Sequence, residues 1–235
     1  MSHLHPSTPE EEVARNAAAI AAVDRIEAGM TIGLGSGRAV WRIIELIEEK
    51  FRDAAPIRAV YASNRTAQLA RAAGIQPAQL DGNERIDLAL DGADEIAPGL
   101  ALLKGGGGAL LREKIVIASA DRFAVVAEQR KTVERLGQTF RLPVEVVRFG
   151  WRDTRNRVLN VLPTAEFRHR DRDEPYLTDE GHFLLDCDLP PTDDLERLGA
   201  QIKGIVGVVE HGLFLGMATE ALLGQHDGSV DVRSV

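Results

Sequence analysis

The sequence predicts an α/β fold: a parallel sheet with helices on its faces, joined to a smaller α+β domain. Two observations carry this. From residue 9 to about 126, short apolar runs alternate with segments whose apolar residues recur every three or four positions, the pattern of strands buried between helices. After Gly137 the alternation stops, and apolar stretches at 144–147, 165–168 and 183–186 are separated by polar turns.

Residues 1–8 read as a mobile end. Thr8-Pro9-Glu10-Glu11 then predicts a helix start, with Thr8 as N-cap, Pro9 in the first position and Glu11 completing a capping box. Val13, Ala17, Ile20, Val23 and Ile26 give it one apolar face over about 9–28, and Gly29 stops it. Residues 30–34 form a strand entering a glycine-rich turn. Residues 38–50 form a helix with Val40, Ile43, Ile44 and Ile47 on one side. Strands follow at 57–61, 86–90 and 123–126, with helices at 66–73 and about 109–119. A helix at 193–201 precedes the apolar 205–209, and 218–223 reads as a helix returning to the first domain. The expected domains are 1–137 with 220–235, and 138–219.

Composition narrows the function. Hydrophobic residues are 44% and charged residues 27%, which suits a globular core and excludes collagen, coiled coil and wholesale disorder. A net charge of −8 disfavours nucleic-acid or anionic-membrane partners. No apolar run approaches the ~18 residues that would span a bilayer, and the first residues lack a secretory pattern, so a cytoplasmic location is expected. One cysteine, Cys187, makes neither an internal disulfide nor a metal clip, and the six histidines have no metal-ligand spacing. The 28 basic residues comprise only five lysines, three of them at 104, 114 and 131. In a chain that otherwise uses arginine, these mark positions suited to a compact ammonium.

Four loops can carry chemistry. Gly33-Leu34-Gly35-Ser36-Gly37-Arg38 joins a strand to a helix, a geometry that binds phosphate through backbone N–H groups. It is neither the dinucleotide fingerprint, because Arg38 stands where a glycine would, nor a Walker A loop. Asp91-Gly92-Ala93-Asp94-Glu95 sets three carboxylates at the carboxyl end of a strand, where parallel sheets bind ligands. Lys104-Gly105-Gly106-Gly107-Gly108 lets backbone approach a ligand, and Glu113 follows about one turn into the next helix. Lys104 and Lys114 are suited to stabilising an oxyanion. Lys131 follows the strand at 123–126. Each loop taken alone also reads as a plain turn, a solvated acidic cap or a surface residue. Together they suggest proton transfer on a small phosphorylated substrate.

These motifs resemble the type A ribose-5-phosphate isomerase family. Asp87-Leu88-Ala89-Leu90-Asp91-Gly92-Ala93-Asp94-Glu95 is similar to its DxAxDGADE segment, and 104–114, KGGGGALLREK, to its most specific motif. Leu34-Gly35-Ser36-Gly37 resembles its phosphate loop, and Lys131-Thr132-Val133 with Leu136-Gly137 its KxVxxLG segment. Further likenesses lie at 178–181 and 207–214, so the resemblance runs from about 10 to 225. It implies a Rossmann-like sheet domain with a smaller ferredoxin-like domain that mediates a homodimer or tetramer. It implies interconversion of ribose 5-phosphate and ribulose 5-phosphate, a step of the non-oxidative pentose phosphate pathway, without metal or organic cofactor. By the same resemblance Glu113 is the base acting between C1 and C2, Asp91 and Asp94 bond sugar hydroxyls, and Lys104 stabilises an enediolate. Ser36, Gly37 and Lys131 hold the phosphate, and Gly105 and Gly106 contact substrate.

Four positions depart from the family pattern. Arg38 and Ala39 stand where Ser and Thr are common, Arg130 replaces a Ser, and Arg15 replaces a Lys near the site. Arg38 is expected to substitute a forked, charged contact for the lost hydroxyls. Two other readings are a sugar-phosphate sensor and acyl transfer to coenzyme A with Glu113 as nucleophile. The first is disfavoured by the short segment before the first helix. The second is disfavoured by the pairing of DGADE with KGGGGALLREK.

Overall fold

The computed structural model describes residues 7–51, 57–82, 84–171 and 174–235. The mobile end expected at 1–8 lies, up to residue 6, outside them. Packing divides the chain into two compact units, one of Pro6–Ala93, Arg112–Lys131 and Met217–Val235, the other of Asp94–Leu111 and Thr132–Gly216.

The larger unit is built on a seven-stranded sheet. Its order is Val230–Ser234, Glu220–Gly224, Phe123–Glu128, Leu88–Asp91, Thr31–Leu34, Arg58–Tyr61, Gln76–Pro77. All neighbours are parallel except the first pair. The chain starts in the middle with Thr31–Leu34, winds outward through the next two strands, then returns to place Leu88–Asp91 on the other side. That reversal puts the carboxyl ends of Thr31–Leu34 and Leu88–Asp91 side by side, the position where open α/β sheets hold ligands.

Sequence periodicity explains the layers. Ile32 and Leu34 pack with Val40, Ile43, Ile44 and Ile47 of helix Arg38–Lys50 and with Ala18, Ala22 and Val23 of helix Pro9–Val23. Each such aliphatic side chain contributes roughly 1.5–3 kcal/mol on full burial. Gly33, between them, faces the opposite side, where a Cβ would come 2.5 Å from Val116 of helix Leu110–Ala118. Gly224 serves the same purpose against the first helix, since a Cβ there would meet the Ala14 carbonyl oxygen. The predicted capping box is present: Glu11 N–H donates to Thr8 Oγ1, and Thr8 N–H to Glu11 Oε2.

Two expectations are corrected. The first helix ends at Val23 rather than near 28, with Asp24 as its C-cap. Residues 218–223, rich in helix-favouring Ala, Leu and Glu, supply strand Glu220–Gly224 instead. That strand lies between two others, with Ala221, Leu222 and Leu223 wholly buried, so tertiary packing overrides intrinsic propensity.

In the smaller unit a four-stranded antiparallel sheet has the order Val208–His211, Leu142–Val146, Phe183–Cys187, Glu166–Phe167. Helices Trp151–Val158 and Leu195–Lys203 complete a β-α-β-β-α-β chain order. Val144, Val146, Leu185, Val158, Leu198 and Ile202 share its core. The helix Trp151–Val158 was not predicted. The boundary expected at residue 137 also differs from the packing. Strands Glu95–Ala97 and Ala101–Leu103 form a sheet with Leu213–Phe214, which draws Asp94–Leu111 into this unit.

Candidate active site

In the larger unit the glycine turn is fitted around a carboxylate. Asp91 ends strand Leu88–Asp91 and is 1% exposed. Its Oδ1 accepts the N–H groups of Ser36 (3.1 Å) and Gly92 (2.8 Å). Gly35 has to be glycine here, because a Cβ would lie 1.9 Å from Asp91 Cγ. The turn is held from its other sides by Gly35 N–H to the Leu90 carbonyl (3.0 Å) and by Thr66 Oγ1 donating to the Gly35 carbonyl (2.8 Å). Gly37 then caps helix Arg38–Lys50 at φ 88°, a conformation open to glycine, with no side-chain cap on the helix. An uncapped first turn with its positive dipole end is an anion-binding arrangement.

The neighbouring strand adds charge. Glu128, the last residue of Phe123–Glu128, is buried, and its Oε1 accepts Arg15 Nε (2.9 Å) and Nη2 (2.7 Å). Its Oε2 lies 3.6 Å from Lys131 Nζ, which also donates to the Ala93 carbonyl at 2.6 Å. Burial pushes the Glu128 carboxyl upward, but Lys131, backbone hydrogen bonding and Arg15 outweigh it and hold the group below the usual carboxylate range. Arg15 and Arg38 both donate to Ser7 Oγ, at 2.9 and 2.5 Å. Burial, and then repulsion from Arg15, lower the pKa of Arg38. Arg130 pairs with Glu11 at 2.9 Å. Four cations thus gather with two carboxylates, an excess of positive charge suited to a dianion. Glu113, 5% exposed, sits in the first turn of helix Leu110–Ala118.

In the smaller unit Asp94 Oδ2 accepts the Gly106 N–H at 2.8 Å, and a Cβ on Gly106 would crowd that carboxylate. Lys104 is 3% exposed, with its N–H bonded to the Gly212 carbonyl (2.9 Å) and its Nζ 5.4 Å from the centre of the Phe214 ring. Gly212 permits this approach, since a Cβ would sit 2.2 Å from the Lys104 carbonyl oxygen. Glu95, third carboxylate of the acidic run, is wholly buried and serves the fold. It accepts the N–H groups of Gly137 (2.6 Å), Thr139 and Phe140 (2.8 Å) and the Thr139 hydroxyl (2.7 Å).

The predicted residues therefore fall into two sets. Ser36, Gly37 and Asp91 meet at one turn, with Arg15, Arg38 and Lys131 gathered through Ser7 and Glu128. Asp94, Lys104, Gly105 and Gly106 share one run in the other unit. Sequence reasoning missed Ser7 and Glu128. Glu128 carried a usable signal, since it closes a strand at its carboxyl end as Asp91 does.

A family model described as ribose 5-phosphate isomerase A (phosphoriboisomerase A) matches residues 58–228. The chain belongs to the ribose 5-phosphate isomerase A family. It is 47% identical over 221 residues to ribose-5-phosphate isomerase A of Synechococcus sp. (strain JA-3-3Ab), covering 93% of this chain and 96% of that protein. It is 46% identical over 228 residues to the enzyme of the same name from Roseiflexus sp. (strain RS-1), covering 96% and 97%. Among solved structures, ribose 5-phosphate isomerase A from Methanocaldococcus jannaschii superposes with a TM-score of 0.89 at 33% identity, over 96% of this chain and all of that one. A D-ribose-5-phosphate isomerase in complex with phospho-erythronic acid superposes with a TM-score of 0.90 at 35% identity, over 95% and 99%. Membership in this isomerase family accounts for the pairing of DGADE with the glycine run, which no single loop explained.

Proposed function

We propose that the protein is an aldose–ketose isomerase interconverting ribose 5-phosphate and ribulose 5-phosphate by proton transfer between C1 and C2 through an enediolate. The observation that carries this is the turn locked on Asp91 beside the Arg15, Arg38 and Lys131 cluster, a preorganised anion site in a chain of this family. The phosphate would sit on Ser36, Gly37, Arg38, Lys131 and Arg15. Binding energy from that remote group would be available to hold the reacting carbons. Arg38 takes over, as a charged fork, from the hydroxyls common in the family.

Glu113 is the base. Its burial strips the carboxylate of most of its hydration, and a positioned base contributes roughly 10²–10⁴-fold. It removes the C2 proton of the aldose and returns it to C1. Lys104 stabilises the enediolate oxygen, and a preorganised donor of this kind contributes about 3 kcal/mol. Asp91 and Asp94 bond sugar hydroxyls and assist ring opening and the O1/O2 proton exchange. Gly105 and Gly106 contact substrate. A four-carbon phosphorylated acid bound by a solved relative supports a small phosphorylated sugar as ligand.

The smaller unit, with its β-α-β-β-α-β order, is read as ferredoxin-like and as the oligomerisation domain of a dimer or tetramer. A cytoplasmic place in the non-oxidative pentose phosphate pathway accords with this activity. Among the described residues no helix is long and apolar enough to cross a membrane. The test is ketose formation from ribose 5-phosphate without added metal, beside Glu113→Gln. The variant is expected to lose ~10²–10⁴-fold in kcat while exchanging no solvent deuterium into the sugar. An active Glu113→Gln enzyme, or an inactive folded parent, would refute the proposal.

A further inference from the structure

The four glycines 105–108 are the softest backbone in the smaller unit by composition, yet three successive carbonyls there are each held by a side chain. Arg168 Nη1 donates to the carbonyls of Gly105 (3.0 Å) and Gly106 (3.1 Å). Tyr176 donates its hydroxyl to the Gly107 carbonyl at 2.8 Å. Arg168 is itself fixed, since Nε donates to Asp186 Oδ2 (2.8 Å) and Nη2 pairs with Oδ1. Its guanidinium stands 5.8 Å from the centre of the Tyr176 ring, so the two donors brace each other. The Tyr176 ring in turn needs a glycine at 108, where a Cβ would come 2.3–2.5 Å from it.

Peptide groups are trans throughout the described chain, so a carbonyl held on one side sends the N–H of the next residue to the other. Two of these N–H groups have internal acceptors: Gly106 donates to Asp94 and Gly108 to the Gly105 carbonyl (3.0 Å). The third, on Gly107, is turned away from the guanidinium, at an exposed residue where an added Cβ would meet nothing within 4 Å. Glycine peptides flip readily, and a flip here would turn a donor into an acceptor.

We infer that Arg168, oriented by Asp186, and Tyr176 are positioning residues that lock the glycine run with the Gly107 amide presented as a donor to a sugar-phosphate oxygen. They act through the backbone and touch no reacting atom. The kinetic arm of the test rests on the isomerase reading; the structural arm does not. Arg168→Met, Arg168→Lys and Tyr176→Phe are compared with the parent by initial rates on ribose 5-phosphate, by amide hydrogen exchange over 104–109, and by melting temperature.

Arg168→Met is expected to lower kcat ~10–100-fold, the scale of a small misplacement, with KM within about twofold. Exchange at the glycine run should quicken. Arg168→Lys, which reaches a carbonyl but lacks the fork, should recover part of the loss. Tyr176→Phe should lose about 2–10-fold in kcat, as for one neutral hydrogen bond. A folded Arg168→Met with parental kcat, or with parental exchange, overturns the inference. If Arg168→Met does not fold, Tyr176→Phe decides: parental rates and exchange overturn the inference, and slower turnover with faster exchange upholds it. If the parent converts no ribose 5-phosphate, the isomerase reading falls and exchange alone decides. Faster exchange in the variants then upholds the lock, and unchanged exchange overturns it.

Discussion

Glu128 offers the sharpest test of how the charge cluster is held together. Its carboxylate accepts two of the Arg15 hydrogen bonds, and Arg15 is 8% exposed. Glu128→Ala leaves a guanidinium buried without that counter-charge, which costs about 3–5 kcal/mol. For a chain of this size each kcal/mol shifts the melting temperature by ~2–4 °C, so a fall of roughly 6–20 °C is expected at pH 7. Removing both charges in Arg15→Met/Glu128→Leu should recover most of the loss, because no buried charge is then left alone. The pH dependence has a definite sign. The folded carboxyl titrates below its unfolded range of about 4.3, so its contribution is complete above that value. It disappears as pH falls through the folded value, and the gap between parent and Glu128→Ala should close on acidification. Melting followed by circular dichroism from pH 7 to 3 measures both effects. A loss under about 2 °C at pH 7, or a gap that widens in acid, would refute the reasoning.

Other consequences are as direct. Gly35→Ala drives a methyl into the Asp91 carboxylate; about 1–3 kcal/mol of stability and ~10²-fold in kcat/KM should be lost, measured by urea titration and initial rates. Glu95→Gln replaces an acceptor of three backbone N–H groups, spread over both carboxylate oxygens, with an amide whose nitrogen must face at least one of them donor to donor. It should destabilise by at least about 2 kcal/mol, seen as a lower urea midpoint at unchanged slope. Burial pushes the Cys187 thiol up to about 12, so it should resist maleimide at pH 8 until urea unfolds the chain.

Much of the larger unit was legible because its signals are local. Helix Arg38–Lys50 declares itself through Val40, Ile43, Ile44 and Ile47 after a glycine turn, and its limits match those expected. The first helix announces its start in Thr8-Pro9-Glu10-Glu11, whereas its end carries no breaker before Gly29 and was placed too late. Where the decisive contact is distant, the sequence is silent. Residues 218–223 look helical until the neighbours Phe123–Glu128 and Val230–Ser234 are known. Strands Glu95–Ala97 and Ala101–Leu103 are three residues each, too short for any period to show. The site divides the same way. Asp91, Asp94, Lys104 and Glu113 sit in motifs specific enough to find by eye. Arg168 and Tyr176 reach the glycine run from more than 60 positions away, and nothing beside them marks that destination.

The strand order also fixes a timetable for synthesis. Phe123–Glu128, buried at every position, takes one of its partners from Glu220–Gly224, made roughly 90 residues later. At ribosomal speeds of about 5–20 residues per second, that edge waits ~5–20 s for its neighbour while the chain between is produced. An apolar strand edge left open so long is a template for pairing with another nascent copy. Expression level and temperature during synthesis, rather than the stability of the finished protein, should therefore govern how much of it is recovered in soluble form.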